Sequence, residues 1–139
     1  MTIYAKYKDS GIEWIGQIPT DWKLIKLKYL STIKRGASPR PIDDPAYFDN
    51  NGERYWVRIS DVTKSDKFLL DCEQKLSPLG VEKSIKINEG DLFVSICASV
   101  GKPCISRVKA CIHDGFVLFS GLESSLIEYV FYLFESQLP

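Results

Sequence analysis

From Arg54 to Phe119 the chain is a series of short apolar segments, each cut off within a few residues by turn formers. That rhythm constrains the fold most, because segments this short make strands, whereas helices need about ten residues or more of sustained period. Leu92 to Cys97 reads as a strong strand that Gly101-Lys102-Pro103 ends. Cys104 to Val108 and Cys111 to Phe119 read as two more, with Asp114-Gly115 a bulge or turn between halves of the last. Ile85 and Ile87 alternate with Lys86 ahead of the turn Asn88-Glu89-Gly90. Tyr47-Phe48, then Asp49-Asn50-Asn51-Gly52, then Arg54 to Ile59 read as a hairpin, since Asn-Gly supplies positive φ angles. Ser60-Asp61 ends its second strand, and residues 62–76 read as irregular and solvated.

Helical signals are fewer. Ser77-Pro78 opens a short helix running to about Ser84, with Ser as cap and Pro in the first turn. Residues 22–35 mix helical spacing at Leu24, Leu27 and Leu30 with strand-like alternation. They read as a strand, a short helical turn, and a strand ending near Arg35. Gly36-Ala37-Ser38-Pro39-Arg40-Pro41 is loop chemistry throughout. Residues 1–21 read as an extended arm broken by Gly11, Gly16 and Pro19. Ile12, Trp14, Ile15, Ile18 and Trp22 are apolar enough to pack that arm on the domain surface. Ser125-Leu126-Ile127-Glu128 has the pattern of a capping box ahead of a terminal helix that is apolar nearly all round. Such a helix either closes its own core or meets another chain. Tyr129, Phe131, Tyr132 and Phe134 point in several directions and are the expected partner surface.

Length and charge bound the function. The 139 residues fit one domain with a core of its own. No apolar run approaches the ~20 residues of a membrane span. Met1 to Tyr7 has no apolar core of a signal peptide, so a cytoplasmic location without membrane contact is expected. Cys72, Cys97, Cys104 and Cys111 form no C-x-x-C pair, and His113 is the only histidine. Neither zinc nor disulfides are expected. Net charge is zero, yet residues 1–40 carry eight Lys or Arg against three Asp or Glu. A chain with no overall basic excess should hold DNA weakly alone, because phosphate neutralisation supplies most of the affinity.

Tyr7-Lys8-Asp9-Ser10-Gly11-Ile12-Glu13-Trp14-Ile15-Gly16-Gln17-Ile18-Pro19-Thr20-Asp21-Trp22 closely resembles the opening arm of the specificity subunits of Type I restriction–modification systems. Three further elements agree, in the same order. Trp22 and Leu27 lead to Gly36-Ala37-Ser38-Pro39, matching a W-x-x-x-x-L segment and a G-x-[ST]-P loop. Tyr55-Trp56-Val57-Arg58-Ile59-Ser60-Asp61 matches an aromatic strand ending in Asp. Gly90 to Ser95 and then Gly101 match a G-D-L-hydrophobic-x-S segment followed by Gly. One position departs: Ile112-His113-Asp114-Gly115 stands where the family often has Asn-Gln.

The resemblance implies one target-recognition domain. Its fold is expected to be α+β, a strongly twisted, mostly antiparallel sheet with short helices, ending in the apolar helix. Residues 1–21 are then the arm, 22–120 the recognition domain, and 121–139 a C-terminal helix leading toward a spacer helix that this sequence lacks. The expected function is sequence-specific binding of double-stranded DNA, reading half of a split site as a non-catalytic component. The expected partners are modification subunits and, through them, restriction subunits. S-adenosylmethionine and ATP with Mg belong to those partners, and this chain is expected to need no cofactor. The alternative is a fragment acting in assembly, by binding modification subunits or forming a homodimer through the terminal helix, with weak DNA affinity.

The residues offer candidate contacts. Lys34, Arg35, Ser38 and Arg40 surround Gly36, which lets backbone approach a surface closely. The same run also reads as a solvated charged turn. Arg54, Arg58, Ser60 and Asp61 flank an aromatic strand; Arg suits guanine and Asp suits cytosine N4. The competing reading is a wet strand face with Arg58 paired to a nearby acid. Lys102 is a further backbone contact, without the frame of a nucleotide-binding loop. His113 beside Asp114 lacks a nucleophile and reads as a polar contact or a structural residue. Neither a nuclease metal cluster nor a methyltransferase cofactor loop is present in the sequence, so no catalytic residue is assigned.

Overall fold

Strands that are apolar at successive positions need cover on both faces. The computed structural model, which describes residues 6–9, 17–19, 27–96 and 101–136, supplies that cover by stacking layers. Strands β1 (Tyr7–Asp9) and β2 (Gln17–Pro19) form a small antiparallel pair. Then come α1 (Leu27–Leu30), β3 (Thr32–Arg35), a 3-10 turn (Pro45–Tyr47), β4 (Arg54–Val57) and α2 (Ile59–Lys64). They are followed by β5 (Phe68–Leu69), β6 (Gln74–Leu76), α3 (Pro78–Glu82), β7 (Ile85–Ile87) and β8 (Leu92–Ser95). The chain continues through β9 (Pro103–Ser106), β10 (Ala110–Ile112), β11 (Phe116–Ser120) and α4 (Ser124–Glu135).

The fold is α+β, with two principal sheets where one was expected. A four-stranded sheet runs β6-β4-β10-β7 and a five-stranded sheet runs β3-β11-β8-β9-β5. Pairing is mostly antiparallel; β10 with β4 and β5 with β9 are the parallel exceptions among the described strands. The turn at residues 113–115 is one of the crossings between the sheets, from β10 to β11, which is what Asp114-Gly115 marks.

Alternation along each strand sorts side chains between layers. Val57, Ile87, Ala110 and Ile112 from the four-stranded sheet meet Phe93, Cys104, Phe116 and Leu118 from the five-stranded sheet in the central core. Phe93 and Phe116 meet edge to face there, 5.4 Å between centroids. The alternate residues Leu92, Val94, Ile105 and Phe119 face the other way and receive Val130 and Phe131 of α4. On the far side of the four-stranded sheet, Trp56, Leu76 and Cys111 are covered by Phe48 and Val81. Cys104 and Cys111 are thus small apolar core residues, and burial pushes their thiols up to about 12 and about 11. Cys97 lies outside the described residues.

Several local readings change. Phe48 and β4 do not pair as a hairpin; both lie against β6, Phe48 through a bridge to Leu76 and Arg54 through the ladder. The turn between them closes with the Asp49 carboxylate accepting from Asn51 N at 2.9 Å and the Asp49 carbonyl accepting from Gly52 N at 2.9 Å. Gly52 does not have a positive φ. It is glycine because a Cβ there would lie 2.1 Å from the Leu76 carbonyl oxygen. Ser60 and Asp61 begin a helix instead of ending a strand. Residues 62–76 are structured: Val62, Leu69 and Leu76 are fully buried, one per short element, too sparsely to show a period. The strand expected before α1, and most apolar residues of the arm, lie outside the described residues. Ser77 caps α3 as expected, its hydroxyl accepting from Gly80 N at 3.2 Å.

The terminal helix starts one residue before its expected cap, at Ser124, with Glu123 as a cap that makes no side-chain hydrogen bond. Its burial is divided. Phe131 is 1% exposed in this domain's own core, and Phe134 is half-buried against Phe119 at 5.5 Å. Neither is a free partner surface. Tyr129 at 65% and Tyr132 at 51% remain outside. Lys67 pins the helix to β5: its ammonium donates to Glu128 at 2.8 Å and to the Tyr132 hydroxyl at 3.0 Å, and lies 4.7 Å from the Tyr132 ring centroid. Phe131→Ala is expected to cost ~3–5 kcal/mol in urea unfolding, by opening a cavity in a packed layer. Tyr129→Ala should stay within about 0.5 kcal/mol.

Candidate nucleic-acid interface

The five-stranded sheet brings distant loops to one end. Arg35 pairs in register with Val117, Phe116 with Ser95, and Val94 with Pro103. The end of β3, the start of β11 and the β8–β9 connection are therefore neighbours. Lys102 sits in that connection, half-buried, its carbonyl accepting from Ser95 N at 3.0 Å. Ile96 N donates to the Gly115 carbonyl at 2.8 Å and ties the connection to the 113–115 turn.

The basic loop is fastened to the same turn by its backbone. Gly36 N donates to Phe116 O at 2.9 Å and Ala37 N to Ile112 O at 3.0 Å. Ser84 donates to Ala37 O at 2.7 Å and to Ile112 O at 3.1 Å. A Cβ on Gly36 would lie 2.0 Å from the His113 carbonyl oxygen, so only glycine allows the two backbones to meet.

Side chains then converge on Asp114. Arg35 Nε donates to its carbonyl at 2.9 Å, Ser38 Oγ to its Oδ1 at 3.2 Å, and Arg40 to its Oδ2 at 3.3 Å. Arg40 and Asp114 keep side-chain exposures of 73% and 46%, so the pair stands in solvent reach. Lys34 is exposed on β3, an edge strand of the sheet. Lys34, Arg35, Ser38, Arg40, Lys102 and His113 are thus gathered at one end of the molecule.

Arg58 reaches the same end from the four-stranded sheet, since Val57 before it pairs with Ile112 before His113. Its charge is already engaged by Glu73, which also takes Lys64 at 2.9 Å. The acid-paired reading of Arg58 is the one the geometry supports. Asp61 is 4% exposed, and its carboxylate accepts from Arg58 N at 2.9 Å and Glu73 N at 3.3 Å. Those bonds close the first turn of α2 and leave Asp61 unsuited to a base contact. Ser60 stays exposed in that turn. Arg54 lies at the opposite end, donating to Ile87 O at 2.9 Å, Ala110 O at 3.3 Å and Asn88 Oδ1 at 3.0 Å. It clamps three strand ends and is not part of the cluster.

Asp114 was not among the residues singled out from the sequence. Its signal was the departure at Ile112-His113-Asp114-Gly115. His113 is half-buried between Trp56 and Phe116, with ring centroids at 5.8 Å and 4.6 Å. Its Nδ1 accepts from Gly115 N at 2.8 Å, which places the proton of the neutral ring on Nε2. Among the described residues, no group of three His, Cys, Asp or Glu is placed to hold a metal, and no helix is long and apolar enough to cross a membrane.

Burial lowers the His113 pKa from its ordinary 6.5, against a smaller opposing pull from Asp114. The folded state then binds fewer protons than the unfolded state below that value. His113 therefore contributes stability that is full above pH 6.5 and lost as pH falls through the lower folded pKa. Urea midpoints should fall as pH drops below about 6.5, and His113→Asn should flatten that dependence. With one histidine in the chain, its ring proton resonances report the titration directly.

No protein-family model matches the chain. Solved structures do. The HsdS subunit from Thermoanaerobacter tengcongensis superposes with a TM-score of 0.62 at 22% identity, over 94% of this chain and 31% of that one. A chain from a structure on complex assembly and conformational transition of the type I R-M system gives a TM-score of 0.66 at 20% identity, over the same shares. The chain spans less than a third of the length of these neighbours. Over nearly its whole length it has the fold of a segment of an HsdS specificity subunit of the Type I restriction–modification systems.

Proposed function

We propose that this chain binds double-stranded DNA and reads one half of a bipartite target, as the specificity part of a Type I restriction–modification complex. The observation that carries this reading is the convergence of the loop at residues 34–40, the 113–115 turn and Lys102 at one end of a fold shared with HsdS. Backbone hydrogen bonds fasten the loop to the turn, while Lys34, Arg35 and Arg40 stay exposed. Fixed donors on a scaffold are what groove readout needs, with phosphate contacts setting register and side chains sampling base edges. Under this reading the chain performs no chemistry. Modification subunits clamp the duplex and carry S-adenosylmethionine, and restriction subunits carry ATP and Mg. The zero net charge fits a reader that relies on a partner for grip.

A second reading has support of its own. Tyr129 and Tyr132 leave an aromatic patch on α4. That patch suits assembly with a modification subunit or a second copy, with DNA affinity secondary.

Titration of the chain with and without a modification subunit, against a methylation-mapped site and a scrambled duplex at two salt concentrations, separates the readings. A reader prefers the mapped site in the complex; equal affinity for both duplexes contradicts it. Lys34, Arg35 and Arg40 replaced together by Ala should weaken binding to both duplexes. They should also flatten the log-salt slope by up to about 0.9 for each phosphate that is no longer neutralised. Arg54→Ala, at the far end, should cost stability and leave the slope unchanged.

A further inference from the structure

The last residue of β3 and two residues of the loop after it converge on one residue 74 to 79 positions away: Arg35 on the Asp114 carbonyl, Ser38 on Oδ1 and Arg40 on Oδ2. A carboxylate bonded by a guanidinium and a hydroxyl has the donor set that a phosphodiester would receive. We infer that the Asp114 carboxylate is an internal stand-in for a DNA phosphate, which holds Arg40 and Ser38 in waiting and is displaced when duplex docks. This rests on the DNA-reading function proposed above and deepens it.

The energetics suit displacement. An exposed ion pair is a weak contact, so it orders the loop without locking it. The backbone bonds of Gly36 and Ala37, and the Arg35 bond to a carbonyl, do not depend on the carboxylate. The loop thus keeps its place when Arg40 turns away. A duplex also has to overcome the exposed carboxylate, which repels phosphate once Arg40 has left it. Binding becomes favourable only where Arg40 and Ser38 find acceptors that replace the ones they lose. Asp114 therefore lowers affinity for duplex of any sequence, because every phosphate offers the same acceptors.

The alternative is a purely structural role, in which Asp114 fixes the loop and its loss weakens every complex. Asp114→Asn distinguishes the two, since it removes the charge and keeps an acceptor for Ser38. Asp114→Ser repeats the test with a smaller uncharged side chain if Asn disturbs the turn. Glu82→Gln, at an exposed position of α3, matches the charge change at a residue with no bond to Asp114 or the loop. The full chain and each variant are titrated with a short random-sequence duplex at low and moderate salt. Asp114→Asn should bind several-fold tighter than wild type and than Glu82→Gln, with a log-salt slope steeper by up to about one unit. Adding Arg40→Ala should abolish that gain. Binding of Asp114→Asn and Asp114→Ser equal to or weaker than that of Glu82→Gln overturns the inference and leaves the DNA-reading function standing. Failure of every protein, wild type included, to bind duplex at low salt overturns both.

Discussion

The approach of the Gly36 backbone to the carbonyls of Ile112 and His113 is the contact on which the rest of the site depends. It occurs at the turn by which β10 of the four-stranded sheet leads into β11 of the five-stranded sheet. A side chain at Gly36 would hold the loop off the turn. Asp114 would then lose reach of Ser38 and Arg40, and Arg35 its bond to the Asp114 carbonyl. One glycine thus links the fold, which fixes the sheet ends, to the chemistry gathered there.

That contact is held from both sides by buried strands. Phe116 and Ile112, which flank the crossing turn, are both in the central core. Burial of each large apolar side chain stabilises the fold by ~1.5–3 kcal/mol, so the turn is anchored by packing on either side of it. The α4 helix closes the outer face of the five-stranded sheet through Val130 and Phe131. Its remaining aromatic surface, Tyr129 and Tyr132, is left over once the core is satisfied. This explains a helix that is apolar nearly all round on a domain that needs only one of its faces.

The sequence was legible where local chemistry decides structure. Ser77-Pro78 opens α3, the apolar runs at Leu92, Cys104 and Cys111 are strands, and Asp114-Gly115 is a turn. It misled where tertiary pairing overrides a local signal. Asn51-Gly52 looks like a hairpin turn, yet Gly52 answers to the Leu76 carbonyl and β4 pairs with a strand about twenty residues on. Residues 62–76 hid two strands because each buries a single large aliphatic side chain. At the site, the basic loop could be read directly, because its charges are contiguous. The separation of Arg54 from Arg58 could not, because four residues along a strand carry a side chain from one end of the sheet to the other. Asp114 was read as a turn residue beside His113 and not as the point where the loop converges, because its partners lie more than seventy positions away.

Charge placement, more than its sum, connects this fold to the function proposed for it. Most cations of the gathered end are exposed, while the acids near Arg58 and Lys64 are already spent on them. The central claim is that DNA is met by this end of the five-stranded sheet. Amide chemical-shift mapping of the chain titrated with duplex tests it most directly. The account predicts perturbations concentrated at residues 34–40, 101–102 and 113–115, with Arg54, Asn88 and the α4 surface unaffected. Perturbations centred on the Arg54 end or on Tyr129 and Tyr132, with residues 34–40 and 113–115 silent, would contradict it.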